Sequence, residues 1–180
     1  MDKIIVFADG GCRNNQNAEN VGGWGVVLQY NDQHKELYGG EKEYSNNVME
    51  LTSVIKALES IKTTHIPIEI NVDSAYVLNG MSSWIHNWIK NGWRTSNKKP
   101  VANKELWIKL NDLIKEQSSV TFVKVKAHVG IELNELADQL ANKAMDELGV
   151  KYIEKNINKT LQHFKNGNVS WLGNPKNKRK

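Results

Sequence analysis

The sequence holds a single cysteine in 180 residues, Cys12, which excludes an internal disulfide and any zinc site built on several thiolates. No apolar run approaches the length that crosses a bilayer. The opening apolar stretch, residues 4–8, is too short for a signal peptide and lacks its flanks. A lone thiol without a targeting segment fits a reducing cytoplasm and no membrane. Charge of one sign is scarce as well: 24 Lys and Arg against 20 Asp and Glu leave a net charge of +4, with a pI near 9.0. That is a mild lean toward a polyanionic partner, so where the charge sits matters more than its sum. Internal repeats are absent. What is present is ordinary for a soluble globular chain, at 39% hydrophobic and 24% charged, and the length suits one domain able to bury its own core.

Patterning divides the chain into alternating strands and helices. Residues 3–9 are apolar almost throughout, as in a strand covered on both faces. A polar, Asn-rich loop is expected over residues 10–20, closed by Gly22-Gly23. Trp24, Val26, Leu28 and Tyr30 then alternate on one face of a second strand. Asn31-Asp32 is a turn signal, and residues 34–42 return as a third strand. From Val48 the period becomes helical, with Leu51, Thr52, Ile55 and Leu58 on one stripe. Ile66, Ile68, Ile70 and Val72 alternate in a fourth strand, and Asp73-Ser74 ends it and starts a short helix. Leu106, Trp107, Leu110, Leu113 and Ile114 form a further helix, and residues 120–125 the last strand. The final helix begins at Asn134, buries Leu136, Ala137, Leu140, Ala141, Ala144 and Leu148, and is expected to end at Gly149. This order predicts an α/β protein with one mixed sheet flanked by helices.

Four carboxylates stand out by position. Asp9 and Asp73 fall at the ends of the first and fourth strands, Glu50 in the first turn of the long helix, and Asp138 just inside the last one. Singly, each has a plain explanation as a turn former or as a partner for a helix dipole. Together, strand-end acids on neighbouring parallel strands would lie side by side, repel one another and require a cation. Oxygen ligands without cysteine or paired histidine favour magnesium or manganese over zinc. Such a set suits two ions about 3.5–4 Å apart that clamp the attacking and leaving oxygens of a phosphodiester.

These acids sit in recognisable runs: Asp9-Gly10-Gly11-Cys12, Ser45-Asn46-Asn47-Val48-Met49-Glu50-Leu51, Val72-Asp73-Ser74, Val125-Lys126-Ala127-His128-Val129-Gly130, and Asn134-Glu135-Leu136-Ala137-Asp138. With them stand Trp84-Ile85-His86-Asn87-Trp88, Gly92-Trp93, Lys98-Lys99-Pro100 and Leu106-Trp107. In this the chain resembles the bacterial type 1 ribonuclease H family, in order and with compatible spacing over about residues 3–148. The resemblance implies the RNase H-like fold, a five-stranded mixed sheet made of an antiparallel meander plus parallel strands. It implies a catalytic domain over residues 1–149, with a basic protrusion at about 81–104. Residues 150–180, polar and weakly patterned, form a basic extension outside the match, either adding to binding or left flexible.

The activity implied is hydrolysis of the RNA strand of RNA–DNA hybrids, leaving 5′-phosphate and 3′-hydroxyl ends. Asp9, Glu50, Asp73 and Asp138 would hold two magnesium ions, replaceable by manganese, with Asp9 bridging both. His128 would assist proton transfer or product release from a mobile loop. Asn15, Asn46 and Asn47 match the family's minor-groove residues, where telling RNA from DNA depends on the 2′-hydroxyl. Ser45 and the two asparagines can equally cap the helix, and both roles can hold together. The segment from Trp84 to Lys104 has no acid. There Lys90, Arg94, Lys98 and Lys99 would neutralise phosphates while Trp84, Trp88 and Trp93 present flat apolar surface. The spacing of Trp84 and Trp88 fits core packing equally well.

Residues 13–20 are more polar than the family's usual loop, and Ala75 and Glu43 stand where glutamine and a basic residue are common. Alternatives are a non-catalytic hybrid binder on the same fold, which would be expected to have lost an acid, and another nuclease of resolvase or integrase type. An RNase H domain cut from a reverse transcriptase is a third. Met1 directly before the first strand favours a free-standing protein, and a monomer without an obligate protein partner is expected.

Overall fold

Three antiparallel strands, β1 (Ile4–Arg13), β2 (Val21–Tyr30) and β3 (Gln33–Lys42), open the fold in a computed structural model that describes residues 2–13, 20–42, 45–125 and 132–165, with side chains as far as Leu148. The turn between β2 and β3 places Asn31 at a φ of 53°, a left-handed conformation that asparagine tolerates. β4 (Ile68–Val72) and β5 (Val120–Lys124) add in parallel, giving one five-stranded sheet in the order β3-β2-β1-β4-β5. Pro67 has no N–H for a ladder. The strand expected from Ile66 therefore starts at Ile68, while the Pro67 carbonyl accepts from Ile4 N at 2.8 Å.

Alternation assigns the two faces. Ile4, Val6 and Ala8 share a core with Val26 and Leu28 of β2 and with Ile68, Ile70 and Val72 of β4. Helices α1 (Asn46–Ser60) and α4 (Lys104–Lys115) close that core with Leu51, Val54, Ile55, Leu58, Trp107 and Leu110. Phe7 and Val27 face the other way, against Val125 and against Ala137 and Leu140 of the helix α5 (Glu132–Lys165). Between β4 and α4 the chain forms α2 (Ala75–Asn79), a π-helical turn at Gly80–Trp84 and α3 (Ile85–Lys90).

Other boundaries differ from expectation as well. β1 does not end at Asp9 but continues to Arg13, and β2 begins at Val21, because Gly10, Gly11, Cys12 and Arg13 pair with Trp24, Gly23, Gly22 and Val21. Glycines that read as a loop are strand positions where another backbone comes close. α5 also passes through Gly149 and runs for 34 residues. An interior glycine costs a helix only about 1 kcal/mol against alanine, and no proline or capping residue follows at once to stop it. The part of the extension up to Lys165 is therefore helical rather than unpatterned.

The closest backbone approach on the second face lies beneath Gly25. A Cβ built there would stand 2.2 Å from the Ala137 carbonyl oxygen, so α5 rests directly on bare backbone of β2. Gly25→Ala must push the helix off the sheet, and the expected loss is about 1–3 kcal/mol of stability. Urea unfolding with an unchanged slope checks it; a variant as stable as the parent would show that α5 does not depend on this seat.

Candidate active site

β1 and β4 pair in parallel only as far as Phe7 and Asn71, and Asp9 and Asp73 each lie two residues beyond. Two aspartates thus emerge where the parallel ladder opens, the position at which sites in α/β sheets assemble. Glu50 arrives from α1. Ser45 caps that helix by accepting from Val48 N at 3.4 Å, and Asn46 Oδ1 accepts from Cys12 N at 2.8 Å, which ties the start of α1 to β1. Gly10 lets the two come together: a Cβ there would stand 2.3 Å from Met49 O and 2.7 Å from Glu50 N. Gly25 does the same for the fourth acid. It pairs across the ladder with Asp9, and α5 pressed onto it sets Asp138, the residue after Ala137, beside the Asp9 carboxyl.

Carboxylate oxygens of Asp9, Glu50 and Asp73 lie within 4.8 Å of one another. Asp9 and Glu50 are half-buried, whereas Asp73 and Asp138 are exposed. Gly10 N donates to Asp9 Oδ1 at 3.0 Å. Glu50 Oε2 is buried without a hydrogen-bond partner, a cost that a bound cation would remove. The electrostatics of the acids agree. Burial first, then the charge of Asp73 and the contact with Asp138, push Asp9 up to about 7. Burial, then Asp9 and Asp73, push Glu50 up to about 9. Carboxyls that hold protons at neutral pH for lack of a counter-charge are suited to exchange them for a divalent ion.

The sequence-derived substrate residues fall in two groups. Asn46 and Asn47 are exposed at the start of α1, with Ser45 half-buried beside them. Lys90, Arg94, Lys98 and Lys99 are exposed on and after α3, on a short hairpin closed by the Arg94–Pro100 bridge. The tryptophans divide. Trp84 is 38% exposed, whereas Trp88 is half-buried against Trp107 and Trp93, with ring centroids 5.4 and 6.3 Å away. Tyr76 anchors this stack by accepting at its hydroxyl from Trp107 Nε1 at 3.0 Å and Asn103 Nδ2 at 3.1 Å. Asn15 and His128 lie outside the described residues. The sequence reading passed over Gly25, although a glycine between Trp24 and Val26 in an alternating strand is itself a signal of close backbone approach.

A mixed five-stranded sheet carrying a cluster of acids at the open end of its parallel strands defines an α/β protein with a carboxylate site fit for a divalent cation. The family model for RNase H matches residues 1–146. A ribonuclease H from Ruthia magnifica subsp. Calyptogena magnifica is 51% identical over 148 residues, spanning 82% of this chain and 99% of that one. One from Clostridium botulinum is 46% identical over 151 residues, spanning 83% and 100%. The crystal structure of LC9-RNase H1, a type 1 RNase H with the type 2 active-site motif, matches with a TM-score of 0.70 at 31% identity, over 81% of this chain and 73% of that one. The structure of LC11-RNase H1 in complex with RNA/DNA hybrid matches with a TM-score of 0.60 at 26% identity, over 81% and 99%. The chain belongs to the RNase H family.

The raised carboxyls fix a pH dependence. Both folded values lie above the ordinary 3.8 and 4.5, so the folded protein binds more protons than the unfolded chain between about pH 4 and pH 9. Metal-free stability should therefore fall as pH rises through that window. Thermal unfolding in chelator at pH 5.5 and 8.5 measures it. Asp9→Asn should flatten the dependence, and magnesium should restore the wild-type loss at pH 8.5. A wild type equally stable at both values would refute the carboxyl assignment.

Proposed function

We propose that this protein is a ribonuclease H that hydrolyses the RNA strand of RNA–DNA hybrids with magnesium held by Asp9, Glu50, Asp73 and Asp138. The observation that carries the reading is the buried, unpartnered Glu50 Oε2 inside a cluster of acids. The LC11-RNase H1 complex with RNA/DNA hybrid supports the substrate class. Two magnesium ions, when bound, supply charge neutralisation for the attacking and leaving oxygens of the phosphodiester. The chain's own part is geometric. Asp9 is in side-chain contact with both Glu50 and Asp138 and would be the central ligand of the set. Asp73, exposed at the rim of the cluster, would complete the set that holds the metal. Manganese has the same oxygen preference and should substitute.

The exposed Asn46 and Asn47 at the start of α1, with Ser45, would meet the minor groove, where amides can both donate to and accept from 2′-hydroxyls. Lys90, Arg94, Lys98, Lys99 and the face of Trp84 would hold the DNA strand's backbone. Trp88 and Trp93 contribute by shaping that arm. Asn15 and His128 keep their proposed parts in groove contact and proton transfer. The products are expected to carry 5′-phosphate and 3′-hydroxyl ends. The active unit proposed is residues 1–149, acting as a cytoplasmic monomer without an obligate protein partner. Among the described residues no helix is long and apolar enough to cross a membrane.

Cleavage of a strand-labelled hybrid in magnesium, run beside duplex RNA and duplex DNA, tests the reading. Only the hybrid's RNA strand should be cut, and Asp9→Asn should lower the rate by about 10²–10³-fold or more, the scale set by loss of a charge-stabilising group. In the same assay Lys98→Gln with Lys99→Gln should raise KM and flatten its salt dependence, since each phosphate contact adds about 0.7–0.9 to the slope. Hybrid binding without cutting, in either metal, would replace the enzyme by a non-catalytic reader.

A further inference from the structure

Asp138 is the acid with the least direct support. Glu50 is fixed by a capped helix start and Asp73 by a strand end, but Asp138 rides on a helix seated by small residues. Ala137, Ala141 and Ala144 are all buried, with Ala137 and Ala141 lying over Gly25 and Gly23 of β2. These alanines fix how near the helix comes, while Leu140 and Met145 pack beside the same glycines. Directional polar contacts add to this packing in setting the register.

Arg13 supplies them. This residue ends β1, four residues after Asp9 and on the same side of the strand by alternation. Its guanidinium forks onto α5. One nitrogen pairs with the Asp146 carboxylate; the other donates to Asn142 Oδ1 at 2.8 Å and to the Asn142 carbonyl at 3.4 Å. Asn142 Nδ2 in turn donates to the main-chain oxygen of Asp138 at 3.0 Å. The spans agree as well. Four strand residues from Asp9 to Arg13 cover about 13 Å, and eight helical residues from Asp138 to Asp146 cover about 12 Å. Strand and helix are therefore fastened at both ends of one length, by carboxyls at the site and by the arginine fork away from it. Tyr38, which donates to Glu147 Oε1 at 3.1 Å and lies under Lys143 Nζ at 4.9 Å, adds contacts from β3.

We propose that Arg13 is a positioning residue: through Asn142 and Asp146 it fixes the axial register of α5 and so holds Asp138 at the distance from Asp9 that the bound cations require. The inference rests on the metal-dependent reading above. Arg13 itself touches neither cation nor scissile phosphate. A planar fork is needed, which an ammonium cannot reproduce.

The test uses the whole chain and three substitutions, Arg13→Met, Arg13→Lys and Asn142→Leu. Magnesium binding to the protein alone is measured by calorimetry, beside kcat, KM for hybrid and the magnesium concentration for half-maximal rate. Arg13→Met should weaken magnesium binding 3–10-fold and raise the half-maximal magnesium concentration to match. KM should stay within twofold at saturating metal, and Tm within a few degrees, since the fork is solvent-exposed. Arg13→Lys should fail to rescue, and Asn142→Leu should reproduce the defect without worsening it when combined with Arg13→Met. Unchanged metal binding with a raised KM that lysine rescues would overturn the proposal and make Arg13 a phosphate contact. Unchanged values throughout would overturn it too. A wild type that binds magnesium but cuts no hybrid would sink the nuclease reading and leave the register test standing.

Discussion

Carboxylates that repel one another are held in contact range by close-packed backbone. Asp9, Glu50 and Asp73 offer oxygens within 4.8 Å, and two of the three are half-buried, where the effective dielectric is low and like charges push hardest. Left to themselves the side chains would swing apart into water. They do not, because the elements that carry them cannot separate without opening the core. β1 and β4 are neighbours in the centre of the sheet, and α1 is locked onto β1 through Gly10. The strain is expressed as protons retained near neutral pH, and a divalent ion in their place would release it.

The remaining architecture follows from that requirement. One face of the sheet carries the large side chains, with Trp107, Leu51 and Leu58 making a thick core under α1 and α4. The other face is thin, since α5 lies on glycine and brings its own alanines. A close seam allows an acid on a helix to reach an acid on a strand, and polar contacts such as the Arg13 fork join the two farther along. The aromatic stack around Tyr76 and Trp88 does a comparable job for the basic arm, fixing a hairpin of exposed cations against the main body.

Asp9, Glu50 and Asp73, singled out in the sequence by their places at expected element ends, do lie together, although β1 runs past Asp9 to Arg13. The fold class was legible because alternation at residues 24–30 and helical stripes at 48–58 and 136–148 assign faces without ambiguity. What escaped was the role of glycine. Gly10-Gly11 and Gly22-Gly23 look like loop punctuation, yet they are paired strand positions, and the missing side chains of Gly10 and Gly23 each admit a helix. Only the three-dimensional approach of Met49 to Gly10 and of Ala141 to Gly23 distinguishes these cases. Gly149 is the converse, a plausible helix stop that the helix runs through. Arg13 could not be singled out, because its partners are more than 125 residues away on a helix whose register the sequence does not state.

The most direct test of the carboxylate account is diffraction from crystals soaked in manganese, with anomalous data to place the ions. The account predicts anomalous peaks inside the cluster, with oxygens of Asp9, Glu50 and Asp73 about 2.1 Å from an ion, near the distance found for small hard cations. A second peak should lie on the Asp138 side of Asp9. Manganese bound elsewhere on the surface while the cluster keeps its protons and stays empty would contradict it.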